Sequence, residues 1–434
     1  MAGFAVNRTS EGWLLFLGVC GLFVFSALVP HPYVYSLDPG LLGRIVSAVP
    51  LLTTGLCAFL LFVAFWRLDS RPGLAEVYAV VGVWLLLAAL SGLGSERPGY
   101  ALLRDVHYAL TGVAIVPVTQ RVLTGRTEVT CRILTVTTGL VGALCLYEFV
   151  IGTPALWSSL LNADNARYAR FAPDDFGRRV LGPVGHPVYL GSFLALMFPA
   201  SLWALLQSSR GRQAVLSATT VVCILGGMLL TFSRGAWLAA AIAVLVYLRH
   251  HSARMVWRIL LALGVLLTLA FSVDQVWDTL ASRGTIGQIK AFDRDQRGIA
   301  YRHGMAILHS SPVVGVGTGL YRFAAARSGD ADHTPDNQHL RLLAEHGVAG
   351  FSAFALLVVV IVRTLNRGRM ALTEDGRIGE ADLCAAIAAG IIGFCVNILT
   401  CDGLYFSTTR ISFWMMVGVG LATVPPLARS RCDT

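Results

Sequence analysis

The chain is poor in charge. Only 14% of its 434 residues are Asp, Glu, Lys or Arg, whereas 55% are apolar and the mean hydropathy is +0.66. A soluble domain carries about 25% charged residues, so this chain cannot cover a water-facing surface. A soluble enzyme, a nuclear protein and a disordered protein are excluded. The charge that is present is basic, a formal +9, and almost free of lysine: Lys290 stands against 33 arginines. A planar guanidinium takes phosphate or carboxylate oxygens bidentately, which an ammonium does not. Many of the arginines also serve as topology anchors. The nine cysteines show no C-x-x-C spacing. Cys20, Cys57, Cys145, Cys223, Cys384 and Cys395 sit in apolar runs, and Cys131, Cys401 and Cys432 at segment ends. Neither a zinc site, a dithiol redox centre nor a disulfide framework is indicated. No internal repeat and no low-complexity tract is visible, which counts against an inverted-repeat transporter.

What the chain does have is a series of apolar runs. They are far longer than the roughly 9–11 residues of a barrel strand, so the spans are helices. Twelve are expected, at 13–30, 45–66, 77–95, 101–118, 133–151, 188–207, 214–232, 235–248, 256–273, 347–362, 383–400 and 405–421. The first lacks a small-residue cleavage site and reads as an uncleaved helix, not a signal peptide. With the N-terminus in the cytoplasm, inner segments hold 17 basic residues and short outer loops 5. Arg44, Arg97, Arg104, Arg234 and Arg410 are those five. Positive charge stays inside, and long loops cross regardless of their charge. Both termini are therefore expected in the cytoplasm, with the long loops outside. The expected fold is an all-α integral membrane protein of about twelve transmembrane helices. Residues 1–273 hold helices 1–9 with an outer loop near 152–187. Residues 274–346 form a large, partly helical outer loop with candidate site elements, and 347–434 hold helices 10–12 and the C-terminus.

Long polar loops on a membrane protein usually act. The first carries Arg167, Arg170, Arg178 and Arg179 and runs into Gly182-Pro-Val-Gly-His186-Pro187. Such a Gly/Pro stretch cannot continue a helix and makes a turn. His186 is either a site residue or an interfacial histidine at a helix start. In the second loop, 297–311 reads as a short helix stopped by Pro312. Gly315-Val-Gly317-Thr-Gly319 follows as a flexible turn. It is not a dinucleotide fingerprint, because no strand precedes it. Residues 340–345 continue as a helix into the tenth span, with Asp336 or Asn337 as N-cap. Asp293-Arg294-Asp295 resembles the D-x-D of metal-dependent sugar transferases, but it stands in an outer loop, away from cytoplasmic nucleotide sugars, and is expected to be a solvated charge cluster; no histidine pair has metal-ligand spacing. Arg234, between two spans with almost no loop, is either an interface anchor or aimed at a ligand.

Arginines gathered at the outer face suit a diphosphate, and a nearby histidine suits a general base. Together they point to transfer from a lipid-diphosphate donor to a hydroxyl. The arginines would offset the charge that develops on the leaving diphosphate.

Four stretches carry a family resemblance. They are Gly182-Pro-Val-Gly-His-Pro-Val-Tyr-Leu190 and Leu230-Thr-Phe-Ser-Arg-Gly-Ala236. The third is Arg297-Gly-Ile-Ala-Tyr301 with Ser311-Pro-Val-Val-Gly-Val-Gly317. The fourth is Asn337-x-x-Leu340-x-x-Leu343-x-Glu345-x-Gly347-x-x-Gly350. Over residues 180–350 the chain resembles the bacterial O-antigen ligase/polymerase superfamily, and most closely its O-antigen ligases. Tyr301 stands where the family usually has Trp. The resemblance implies inverting transfer of polysaccharide from undecaprenyl diphosphate to a sugar hydroxyl of lipid A–core, completing lipopolysaccharide. It implies the periplasmic face of a Gram-negative inner membrane, with no metal, nucleotide or nucleic acid. By position, Arg234 and Arg297 would bind the donor diphosphate, with Arg302, Arg178 and Arg179 as further candidates. The family's base is a histidine, and that position here is Asp336. His339, three residues later, shares a helical face with Asp336 and is the first choice as base, before His333 and Asp336 itself. His186, Asn337 and Tyr301 are other candidate site residues, and His346 is expected to pack. An O-antigen polymerase and a protein O-oligosaccharyltransferase share these motifs. A lipid-linked glycan transporter is a more distant alternative, because the spans read as nearly free of charge at their centres.

Overall fold

The structure is a computed structural model that describes residues 8–28, 74–152, 179–208, 211–271, 296–327 and 335–425. The described residues are helical, without a strand. In chain order the helices are α1 (Arg8–Leu28), α2 (Ala75–Leu93), α3 (Pro98–Tyr108), α4 (Ile115–Leu123), α5 (Thr127–Ile151), α6 (Pro187–Leu206) and α7 (Arg212–Leu230). Then follow α8 (Arg234–Leu248), α9 (Ala253–Phe271), α10 (Gln296–Ser310), α11 (Tyr321–Ala326), α12 (Gln338–Glu374), α13 (Ile378–Asn397) and α14 (Ser407–Thr423). A π-helical turn, Ala109–Val113, joins α3 to α4.

Among the described residues, seven helical segments are long and apolar enough to cross a membrane, and Phe16–Leu28 and Arg234–Leu248 are shorter apolar stretches. A membrane-spanning α-helical protein is what this length and hydropathy dictate. Helices occupy the described parts of eleven of the twelve expected spans. The second expected span, 45–66, lies outside the described residues.

α6 is the central helix. It is apolar all round and nearly all its residues are buried, as a helix enclosed by others must be. α5, α7, α8, α13 and α14 surround it. In a bilayer, helices associate by close packing more than by a hydrophobic drive, so small residues mark the crossings. At Gly142 of α5 a Cβ would lie 2.3 Å from the Cys223 carbonyl oxygen of α7, so only glycine lets these two backbones meet.

α12 departs from expectation. Residues 340–345 do not run straight into the tenth span, because the helix breaks at Gly347 (φ 64°, ψ −172°). The His339 and Phe351 rings lie 5.8 Å apart. Twelve residues of straight helix would separate them by about 18 Å, so the helix turns sharply at Gly347. The break leaves orphan carbonyls before it and orphan amides after it. Residues 312–317 satisfy both sets. Val316 and Gly317 N–H donate to the Ala344 and Glu345 carbonyls (3.0 and 2.9 Å), and Val348 and Ala349 N–H donate to the Pro312 and Val313 carbonyls (2.8 and 3.2 Å). The glycine-rich stretch expected as a flexible turn is thus a strap across the break. Gly347 allows it in two ways: its φ is left-handed, and a Cβ there would lie 2.2 Å from the Val313 oxygen.

Among the described residues the spans carry no charge at their centres, but charge gathers at their ends and just ahead of the tenth. Asp105, Glu148, Arg341, Glu345 and Arg410 stand within helices. Four of them are buried, and Asp105 is partly so. Their scattered positions in the chain conceal that most of them meet in space.

Candidate active site

The loop 398–406 between α13 and α14 is where the motifs converge. Gln338, the first residue of α12, donates its N–H to the Ile398 and Cys401 carbonyls (2.9 and 3.1 Å). Its side-chain oxygen accepts from Leu404 N–H (3.1 Å). At the start of α8, Gly235 abuts Thr400 with no room for a Cβ. At the start of α6, Tyr189 stacks on Phe406 at 3.6 Å, and His186 lies 4.8 Å from Tyr189 and 6.3 Å from Phe406. One loop therefore gathers the beginnings of α6, α8, α12 and α14 into a single rim.

Two rim residues have left-handed backbone without being glycine: Phe232 (φ 49°) and Asp336 (φ 43°). Asp tolerates this region; a bulky Phe does so at a cost. Strain of this kind persists only where surrounding structure imposes it, and it concentrates at functional sites. Phe232 lies two residues before Arg234, and Asp336 one residue before the N-cap Asn337. Arg234 opens α8 and is exposed. Arg179 is half-buried, and its Nε donates to the Thr231 carbonyl (2.7 Å), tying it to the same bend. Asn337 caps α12 by accepting Leu340 N–H at 3.1 Å, as expected of an N-cap asparagine.

Behind the rim lies a buried ionic cluster. Arg341 Nη2 pairs with Asp402 at 2.8 Å, and its Nη1 lies 3.9 Å from Glu345. The Arg341 guanidinium sits 4.4 Å from the Tyr405 ring centre. Arg410 donates to Thr111 (3.0 Å) and to the Leu404 and Tyr405 carbonyls (both 2.9 Å), and lies 4.7 Å over Tyr108. Arg104 donates to the Tyr108 hydroxyl at 2.8 Å. Thr318 donates to Asp105 and lies 2.8 Å from His346 Nε2. A cavity of about 60 Å³ opens here between Trp84, Asp105, Arg341, Glu345, Tyr405 and Trp414. Burial pushes the Asp402 carboxyl up to about 6. Arg341 opposes that rise, while the Asp336 and Glu345 carboxylates add to it.

Of the residues singled out in the sequence, Arg179, His186, Arg234, Asp336 and Asn337 are brought together at the rim. His339 is not turned to the ionic cluster: its Nε2 lies 3.0 Å from the Cys395 carbonyl oxygen, and its ring meets Phe351 edge-on. A carbonyl only accepts, so this nitrogen carries the proton. His346 is buried and packed, as expected. Tyr301 and Arg302 are exposed on α10, which packs on α12. Arg297 lies in α10 by its backbone, and its side chain is outside the described residues, as are Arg178, His333, Asp293 and Asp295. Among the described residues no group of three or more His, Cys, Asp or Glu side chains is placed to hold a metal.

Sequence reasoning passed over Asp402, Arg341, Arg410, Arg104 and Asp105. Arg104 and Arg410 read only as arginines of short outer loops. The overlooked signal was the i, i+4 pair Arg341/Glu345 just ahead of a long apolar run, since charge at membrane depth marks function by default.

Residues 219–355 match the O-antigen ligase family. That stretch runs from α7 through α8, α9, α10 and the strap into α12, and so includes Arg234, Asp336, Arg341 and Gly347. No curated protein matches the chain. Over that stretch the chain is similar to the O-antigen ligase family.

Proposed function

We propose that the rim transfers O-antigen polysaccharide from undecaprenyl diphosphate to a sugar hydroxyl of lipid A–core, on the periplasmic face of the inner membrane. One observation carries this reading: Arg234 and Asp336 each sit beside or on a strained residue, and the elements that bear them rest on the same short loop. Cation and carboxylate are what the reaction needs, on opposite sides of the reacting carbon.

In this reading the donor diphosphate lies against Arg234 and Arg179, with Arg297 and Arg302 of α10 and Arg178 as further contributors. The acceptor oxygen attacks the anomeric carbon from the face away from the diphosphate, which inverts the configuration. Its proton passes to Asp336. The new bond is carbon to acceptor oxygen; the broken bond is carbon to diphosphate oxygen, and undecaprenyl diphosphate leaves with the electron pair. The arginines offset the charge that grows on it. The Asp402–Arg341 pair stands behind Asp336 and sets its local field. His339 and His333 are the other candidate bases. His339 is placed third in this mechanism, after Asp336 and His333, because its protonated nitrogen is turned to Cys395.

The test uses the full chain, purified into nanodiscs, with undecaprenyl-diphosphate glycan and lipid A–core. Arg234→Ala and Asp336→Asn are each expected to lower the rate by about 100-fold or more, while His339→Ala keeps most of it. Loss in His339→Ala with near wild-type transfer by Asp336→Asn would move the base to the histidine. Lengthening of donor-linked glycan in place of lipid A–core labelling would identify a polymerase, and labelling of protein an oligosaccharyltransferase.

A further inference from the structure

Glu148 is fully buried, at 0% exposure, near the rim end of α5. A carboxylate at membrane depth is costly and needs strong compensation. It receives this from two peptide groups: Leu181 N–H donates to one oxygen at 2.9 Å and Gly182 N–H to the other at 2.8 Å. Both donors belong to the turn that leads to His186.

The same segment is clamped from its other side. Val180 N–H donates to the Leu230 carbonyl (3.2 Å) and Arg179 Nε to the Thr231 carbonyl (2.7 Å). Leu230 and Thr231 end α7, and Phe232 and Ser233 turn the chain to Arg234 at the start of α8. Residues 179–182 thus form a bridge. One foot is the Glu148 carboxylate, and the other is the α7–α8 bend that presents Arg234. The close crossing at Gly142, six residues earlier in α5, brings Glu148 up beside that bend. A network of this kind shares its strength between members, and removing one shifts the others.

We propose that Glu148 is a positioning residue for anion binding at the rim. It touches no substrate. It fixes the 179–186 turn so that Arg179 and Arg234 face the same diphosphate. This rests on the diphosphate-donor reading above. Glu148→Ala leaves two buried N–H groups without an acceptor and frees the bridge. Glu148→Gln keeps one accepting oxygen and sets an amide against the second N–H.

The experiment is steady-state transfer by the full chain in nanodiscs, with donor and acceptor varied separately, beside the thermal midpoint of each variant. For Glu148→Ala the donor KM is expected to rise about tenfold, the size of one lost charge-assisted hydrogen bond, with kcat within about threefold. The acceptor KM should stay unchanged, and Glu148→Gln should fall between. A merely structural role would lower kcat and the thermal midpoint together and leave the donor KM alone; that result overturns the proposal. Equal donor KM in all three proteins overturns it too. If the wild type transfers nothing from any polyprenyl-diphosphate glycan, the donor reading itself fails. The proposal then fails with it, and this outcome is distinct from the two preceding ones.

Discussion

Asp402 and Arg341 form a buried ion pair whose two members are far apart in sequence. Taking both from water is expensive, and removing either leaves the other charge uncompensated. Arg341→Ala is expected to destabilise the folded chain by about 3–5 kcal/mol, read as a fall in the urea or thermal midpoint in detergent. The raised Asp402 carboxyl gives a pH prediction with two signs. The ionised form that pairs with Arg341 dominates only above about 6, so transfer should fall as pH drops below that value. Asp402→Asn should flatten this acid limb. Stability runs the other way. A carboxyl raised in the folded state favours folding when protonated, so its contribution is present below the ordinary carboxylate range near 4 and is lost as pH rises through about 6. Individual site residues were only partly legible in the sequence. Arg234 stood out because almost no loop separates its two spans, and Asn337 because it precedes a helical run. Asp402 did not, since an aspartate between two apolar runs looks like any loop residue until Arg341 is seen beside it.

The broken α12 and the strap across it make one unit from two distant motifs. Residues 312–317 and 344–349 exchange four backbone hydrogen bonds, and Gly347 has the backbone conformation and the empty space this requires. Gly347→Ala would force a Cβ into a left-handed residue and onto the Val313 carbonyl. A loss of at least about 1–2 kcal/mol is expected from the conformation alone, with the first half of α12 displaced. Hydrogen exchange should show faster opening at residues 344–349 and unchanged protection in α6. Helix existence was legible at this scale, because hydropathy and length fix it: α10 ends beside Pro312 and α12 starts after its cap, as read. The break was not legible, because 338–346 and 348–374 are both good helix sequence. A glycine within a helical run does not by itself reveal a sharp break. The reading of Gly315–Gly319 as flexible failed for the same reason, since its hydrogen-bond partners lie about thirty residues on.

Across the molecule, the helices that end at the rim and those that begin there alternate, and the ionic cluster occupies the same end of the bundle. The arginine bias in the sequence leads to the expectation that this end lies outside. Alkaline phosphatase inserted after Ser95, in the turn between α2 and α3, is expected to be active, and the same reporter fused after Thr434 silent. The reverse pattern would place the rim in the cytoplasm. Membrane class and helix positions were legible because composition dictates them. The convergence of α6, α8, α12 and α14 on residues 398–406 was not, since contacts between such distant segments leave no local pattern. The account stands or falls on transfer by the purified chain. In nanodiscs, with undecaprenyl-diphosphate glycan and lipid A–core as sole substrates, it predicts glycan-bearing lipid A–core and released undecaprenyl diphosphate in equal amounts, both abolished by Arg234→Ala. Folded wild-type protein that consumes no donor, or an Arg234→Ala variant that transfers at the wild-type rate, would contradict it.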